Sequence, residues 1–326
     1  MNTAAENIRV QKWVAGISIL LLAAKLVAYS ITHSVAILTD ALESIVNVVA
    51  GFIGLYSLYV AAKPRDKDHP YGHGKAEFIS AAVEGTMIGI AGIIILYEAV
   101  RKLVHPIALH QLDVGMWLVA ATALVNFTLG WYCVHTGRRN NSLALTASGK
   151  HLQSDTVSTL GIIAGLILLY VTGYAWVDSV VAMLFAVFII YTGYTIVRRS
   201  IAGIMDEADE KLLGQMVDML NGNRRENWVD LHNLRVIKYG SVLHLDCHLT
   251  VPWYLNVHEA HSEIDILATL IRERFGESLE LFVHSDGCLP FQCHLCNKHD
   301  CQVRRQEFEG RIPWTVENVL RNEKHQ

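Results

Sequence analysis

Six apolar runs, each about as long as the roughly 20 residues a helix needs to cross a bilayer, constrain this chain more than any other feature. They span 11–32, 35–61, 78–103, 112–136, 145–171 and 175–198. Hydrocarbon offers no water to the backbone, so such runs must be helices that satisfy their own N–H and C=O groups. Of the 326 residues 52% are hydrophobic and only 18% charged, too apolar for an ordinary soluble domain. Charge is sparse over 14–62 and 76–200 and dense over 206–326, so a membrane portion followed by a soluble portion is expected. The first run follows Arg9 and Lys12 but is long and lacks a small-residue cleavage site; it reads as a span and not a signal peptide. A net charge of -4 gives no reason to expect a nucleic-acid partner.

Positive charge sets the expected orientation. Lys63, Arg65, Lys67 and Lys75 follow the second run, Arg138 and Arg139 the fourth, and Arg198 and Arg199 the sixth. The links at 32–34 and 172–175 carry none, and Arg101 with Lys102 is the one contrary cluster. Both termini are expected to face the cytoplasm, in a multi-pass protein of a bacterial-type inner membrane.

Within these runs some polar residues need a reason. His151 and Asp155 are four apart in the fifth run, and Glu43 and Asn47 are four apart in the second. Residues at that spacing share a helical face. An ionisable side chain at a helix centre costs about 2.5–3.5 kcal/mol on insertion scales. Mutual hydrogen bonding could compensate, but two helices each offering two oxygen or nitrogen donors make a set of four, which suits Zn²⁺ and related divalent ions. Asp40 reads as a helix–helix hydrogen bond, Asp178 as a helix-start cap, and Glu84 as either a structural group or a helper in proton or metal movement.

SVAILTDALESIVN, DKDHPYGHGKAE, HLQSD and WVDSVVAML, in that order, resemble the cation diffusion facilitator family of divalent-metal/proton antiporters, from about residue 10 to Asp286. The resemblance implies a transport site of Glu43, Asn47, His151 and Asp155, and a second site of Asp66, His69 and His73 in the cytoplasmic loop. The family's zinc exporters usually carry Asp or His followed by Asp where this chain has Glu43 and Asn47. An amide binds a cation more weakly than a carboxylate and exchanges no proton, which leaves the metal open. No GxxxxGK[ST] phosphate loop is present to supply ATP energy. Metal binding requires neutral imidazole and ionised carboxylate, so it expels protons; His151, with its near-neutral intrinsic pKa, is the expected proton-coupling residue.

Past Arg199 the pattern changes to helix, two strands, helix, strand: a small α+β (αββαβ) domain, a metallochaperone-like open-faced sandwich. About 80 residues bury a modest core, so a homodimer is expected. His244, Asp246 and His248 alternate with Leu243, Leu245, Cys247 and Leu249, giving one apolar and one metal-liganding face. The resemblance places the domain's metal ligands on His232, His248, His261, His284 and Asp286. VHEAHSE is not a zinc-protease motif, since its histidines are three apart and the H-E-x-x-H chemistry needs four; no enzyme is expected.

Cys133 and Cys247 read as packing residues. Cys288, Cys293, Cys296 and Cys301 are tail metal candidates, four thiols within 14 residues on the reducing side. A structural zinc site, metal capture or delivery, and loose thiols all fit that spacing. Lys75 and Asp206 have the right signs to anchor the two portions.

The expected organisation is a six-helix transmembrane domain over 1–203, a cytoplasmic metal-binding domain over 204–287 and a Cys-rich tail with a short amphipathic helix over 288–326. The expected function is proton-coupled export of a divalent transition metal, most readily Zn²⁺, as substrate and regulatory ligand. Fe²⁺, Mn²⁺, Co²⁺ or Ni²⁺ selectivity, a membrane metal sensor without transport, and a passive channel are the alternatives.

Overall fold

The structure is a computed structural model that describes residues 3–32, 35–104, 113–172, 175–239, 242–276 and 279–326. Within its helices, side chains are described except at 28–32, 35–43, 46, 102, 113–119, 158, 161–172, 175–178 and 181. The chain divides into two compact units, Met1–Met205 and Asp206–Gln326.

Unit one is helical: α1 (Thr3–Thr32), α2 (Val35–Ala61), α3 (Ala76–Val104), α4 (Asp113–Arg139), α5 (Leu143–Thr172) and α6 (Ala175–Ile204). Among the described residues, Thr3–Val27, Ala76–Arg101 and Ala182–Ile204 are each long and apolar enough to cross a membrane on length and composition alone. The outward residues are themselves apolar, with Leu20, Ile93, Ile94, Tyr97, Phe188 and Tyr191 all exposed. A soluble protein rarely leaves so wide an apolar surface bare, whereas lipid covers it without penalty.

Lipid tails are as apolar as leucine, so these helices associate through close packing and polar contacts. α3 packs on α6, α4 on α5, and α1 on α2. A Cβ on Gly149 of α5 would lie 2.7 Å from the Val134 nitrogen and 2.8 Å from the Gly130 carbonyl of α4, so only glycine permits this approach. Glu77 of α3 caps α5: its carboxylate accepts from the Ser142 hydroxyl and, at 3.4 Å, from the Ala144 N–H. These contacts fix the helix that carries His151.

Unit two has α7 (Glu210–Gly222), β1 (Asp230–Tyr239), β2 (Val242–Val251), α8 (Val257–Phe275), β3 (Leu279–Gly287) and a short α9 (Val316–Val319). β2 is central, antiparallel to β1 and parallel to β3. This is the αββαβ order that the hydrophobic periodicities imply. α7 buries Leu213, Met216, Val217 and Leu220, one face of a helix, and its first turn is closed by Asp209 accepting from Leu212 N–H at 3.0 Å. α8 starts with a reciprocal cap, Asn256 with Glu259, and ends at Gly276, whose φ of 100° suits glycine. Both helices pack on the sheet face formed by Leu231, Leu245, Cys247 and Leu249.

Trp314 and Val319 belong to the same core, so the segment after 288 is part of this unit and folds onto it.

Candidate metal sites

In the membrane unit, α2 and α5 bring three of the four expected ligands together. Asn47 Nδ2 donates to Asp155 Oδ2 at 2.5 Å, and Asn47 Oδ1 lies 2.8 Å from His151 Nε2. Since the amide nitrogen faces the carboxylate, its oxygen must face a donor, which puts the imidazole proton on Nε2. His151 Nδ1 is buried and without a hydrogen-bond partner among the described residues. His151 is 5% exposed. The side chains of Glu43, Asp40 and Asp178 lie outside the described residues.

Beside this cluster runs a buried polar chain. Gln11 Nε2 donates to Gly51 carbonyl at 3.1 Å and to Ser148 Oγ at 3.0 Å, and Ser148 Oγ donates to Glu84 Oε1 at 2.9 Å. Glu84 is fully buried, so its carboxyl joins α3 to α5 one turn before His151. Lys25, 4% exposed in α1, donates to Ser44 Oγ at 2.7 Å. Its sequence signal is a lone lysine in LLLAAKLVAYS, and its partner Ser44 is the residue after Glu43.

The loop after α2 forms a compact second cluster. Asp66 Oδ1 lies 3.1 Å from His69 Nδ1 and Asp66 Oδ2 3.3 Å from His73 Nε2. The ligand atoms of the three all lie within 4.8 Å of one another. Asp66 also accepts backbone N–H groups from Asp68 at 3.1 Å and His69 at 2.7 Å. The His69 backbone bond, ahead of the two imidazoles, holds this carboxyl below its ordinary range. Gly72, at φ 90°, turns the chain so that His73 folds back.

In the second unit, strand register creates the third cluster. His232 pairs with His248, and His248 with His284, so three imidazoles stand abreast across β1, β2 and β3. Asp286, two residues along β3, presents Oδ2 at 3.5 Å from His232 Nε2 and 3.4 Å from His248 Nδ1. These three place ligand atoms within 4.8 Å of one another; His284 stands at the rim, 3.7 Å from Asp286 Oδ1. Burial and then the His232 imidazole hold His248 below the ordinary histidine range, which favours the neutral, ligating form.

His261 is not brought to this cluster. It lies on α8, which covers the opposite, apolar face of the sheet, and is exposed beside Asp265 at 3.8 Å.

Three residues outside the expected set complete the surroundings. Asp230 is buried 3.5 Å from His232 Nδ1, the arrangement in which a carboxylate orients a metal-binding imidazole. Burial opposes ionisation of Asp230, yet the nearby His232 imidazole and the hydrogen bonds from His325 outweigh it and keep the carboxyl well below its usual range. His325 bonds Asp230 through both its ring Nδ1 and, at 3.0 Å, its backbone N–H. Lys324 Nζ lies 3.4 Å from Asp286 Oδ1. No local pattern marks the tail contacts, because His325 lies 95 positions from Asp230 and Lys324 is also far along the chain from Asp286.

Lys75 Nζ donates to the Ile204 carbonyl at 3.3 Å, and Asp206 takes a φ of 56° just past α6. Cys133 and Cys247 are buried; burial, with Asp246 nearby, pushes the Cys247 thiol up to about 12, as befits an inert packing residue.

Residues 13–205 match the cation efflux transmembrane domain, and residues 208–288 match the cation efflux protein cytoplasmic domain. The chain belongs to the cation efflux family. An uncharacterized transporter of Synechocystis sp. is 34% identical over 254 residues, covering 78% of this chain and 82% of that protein. The cation-efflux pump FieF of Pectobacterium atrosepticum is 27% identical over 282 residues, 83% of this chain and 89% of the pump. That of Shewanella oneidensis is 25% identical over 266 residues, 82% and 89%. As a cation efflux transporter the chain is a multi-pass membrane protein with a cytoplasmic αββαβ domain, it moves a metal cation, and it is not an enzyme.

Proposed function

We propose that this transporter is a proton-coupled antiporter that exports a divalent transition metal, Zn²⁺ foremost, through a site of Glu43, Asn47, His151 and Asp155. The observation that carries the reading is the Asn47 amide bridging His151 and Asp155 between α2 and α5. With no cation, the amide satisfies both neighbours and removes the repulsion a second carboxylate would bring. A cation must break the Asn47–Asp155 hydrogen bond to enter, then gains the Asp155 carboxylate and the imidazole. His151, whose neutral form alone ligates, exchanges the coupling proton.

Asp66, His69 and His73 form the loop site in this reading, and His232, His248, His284 and Asp286 the cytoplasmic regulatory site. His261, exposed on α8, would serve that site from a second copy of the chain in a homodimer. Lys75 and Asp206 act as the anchoring pair, and both termini are cytoplasmic. Selectivity for Fe²⁺, Mn²⁺, Co²⁺ or Ni²⁺ is the second reading, favoured by the neutral amide at Asn47.

Metal flux into proteoliposomes under an imposed pH gradient tests the reading. Flux should follow the gradient and fall to the protein-free level in His151→Ala and Asp155→Ala. Unchanged flux in both variants removes the site, and flux indifferent to the gradient removes the proton coupling.

A further inference from the structure

Past Val319 the chain has no side chain left to bury. Residues 320–326 read LRNEKHQ, and the one apolar residue among them, Leu320, is exposed. The segment leaves a firm anchorage: Trp314 lies in the core, its backbone N–H and carbonyl both bond the Asn221 side chain, and Thr315 caps α9. It arrives past Cys288, Cys293, Cys296 and Cys301, which are free thiols and, among the described residues, bring no three ligand atoms within 4.8 Å as the two His/Asp clusters do. A polar stretch without core contacts ordinarily frays into water. This one turns back and makes polar contacts at three places, all of them around His232, His248 and Asp286.

The first place is the bulge in β1. The Arg321 carbonyl accepts the Asn233 N–H at 2.8 Å, and the Asn233 side chain stands 3.1 Å from His248 Nε2. The second is the end of β3, where Lys324 Nζ donates to the Gly287 carbonyl at 2.9 Å and lies 3.4 Å from Asp286 Oδ1. The third is Asp230, whose Oδ1 bonds the His325 ring Nδ1 and whose Oδ2 accepts the His325 N–H at 3.0 Å. Gln292 Nε2 donates to that same Oδ2 at 3.3 Å.

Two of these contacts oppose what a bound cation needs. A divalent ion on Asp286 would stand beside the Lys324 ammonium, and since that side chain is only 19% exposed, water screens the repulsion poorly. An imidazole that ligates a metal through Nε2 donates its Nδ1–H to a neighbouring acceptor, which fixes the ring. For His232 that acceptor is Asp230, yet its Oδ2 stands 3.5 Å away, and His232 Nδ1 has no hydrogen-bond partner among the described residues. Asp230 is held by His325 and Gln292 instead. To close on His232 it must loosen from the tail.

We propose that residues 321–325 form a strap across the cytoplasmic cluster, and that the closed strap and a divalent cation on His232, His248 and Asp286 are antagonists. A rising cation load frees the end of the chain, and the strap in turn sets the concentration at which the cluster fills. The strap rests on reading that cluster as a cation site.

The test uses full-length protein in detergent, carrying Asp155→Ala to remove the transport site, and reads hydrogen exchange at the C-terminal amides with and without Zn²⁺. The Lys324 and His325 contacts together should amount to about a tenfold shift in equilibrium, so saturating Zn²⁺ should speed exchange at 321–325 by that factor. The Val319 N–H, bonded to the Thr315 carbonyl at 3.0 Å, is the internal control and should not change. Linkage is reciprocal, so Lys324→Ala with His325→Ala should tighten Zn²⁺ at the cluster by about the same tenfold in dye competition. In that variant the strap amides should exchange fast even without Zn²⁺. Neither side chain belongs to the core, and Lys324→Arg, which keeps the charge, should stay near wild-type affinity.

His232→Ala with Asp286→Ala separates two failures. If this pair leaves the Zn²⁺ bound per chain unchanged, the cation site is wrong and the strap falls with it. If the pair does lower bound Zn²⁺, while strap exchange ignores Zn²⁺ or the Lys324 and His325 variant binds Zn²⁺ no more tightly, the cluster stands and the strap is overturned.

Discussion

Lys324 Nζ lies 3.4 Å from Asp286 Oδ1, on the carboxylate whose other oxygen faces His232 and His248. An ammonium there competes with any cation the cluster would bind. Both side chains are about one-fifth exposed, so the pair is worth no more than about 1 kcal/mol. Lys324→Met should therefore tighten zinc binding at the cytoplasmic site by about two- to five-fold, measured by dye competition on full-length protein carrying Asp155→Ala. Equal affinities would show that the lysine does not compete.

Asn47→Asp tests the amide's role in the proposed transport site. The substitution sets a carboxylate oxygen where an N–H now meets Asp155 at 2.5 Å. Two carboxylates at that distance must share a proton or hold a cation. Zinc affinity should rise on the order of tenfold through the added ligand charge, and one more proton should leave per metal bound. Isothermal titration in buffers of different ionisation enthalpy counts those protons; an unchanged count would mean that Asn47 lies outside the coordination sphere.

Several features were legible in the sequence for plain physical reasons. Six helices follow from run length, because a bilayer admits few other structures, and αββαβ follows from the switch between periods of 3.6 and 2. Alternation alone placed His248 on the polar face of its strand and Asp286 came only by resemblance, while the row His232–His248–His284 depends on register. That register shifts between His232 and Arg235, where Asn233 takes a φ of 52° and sets its amide 3.1 Å from His248 Nε2. A bulge of this kind leaves no periodic trace. His261 was grouped with these ligands by resemblance, and the side of the sheet that α8 covers sets it apart within one chain. Asn47 read as a weakened ligand, and its hydrogen bonds to both neighbours emerge only when α2 meets α5.

The contact of α4 with α5 predicts a steric sensitivity two residues before His151. A methyl on Gly149 would press on the Val134 nitrogen and the Gly130 carbonyl, backbone atoms that cannot rotate away. Gly149→Ala should destabilise the membrane unit by about 1–3 kcal/mol and slow transport. Gly16→Ala, with nothing within 4 Å, is the control and should be neutral or mildly stabilising. Thermal unfolding in detergent alongside flux checks both; an unaltered Gly149→Ala protein would refute the close approach.

Asp209 gives a pH prediction whose sign is fixed by its partners. Burial opposes its ionisation, but Lys238 Nζ at 2.5 Å and the Leu212 N–H outweigh it and lower the pKa from 3.8. A carboxyl depressed on folding contributes stability that is complete above its unfolded value and lost as pH falls through the folded one. The side chain is 42% exposed, so solvent screening limits the ion pair to about 0.2–1 kcal/mol. Asp209→Asn keeps a capping oxygen and removes the charge, so it should speed hydrogen exchange at the Leu212 amide near neutral pH. The difference from wild type should shrink as pH falls below about 4. Asp209→Ala also loses the cap, so a further cost of about 1 kcal/mol should persist in acid. If wild type and Asp209→Asn exchange alike at neutral pH, the Lys238 pairing contributes nothing to the start of α7.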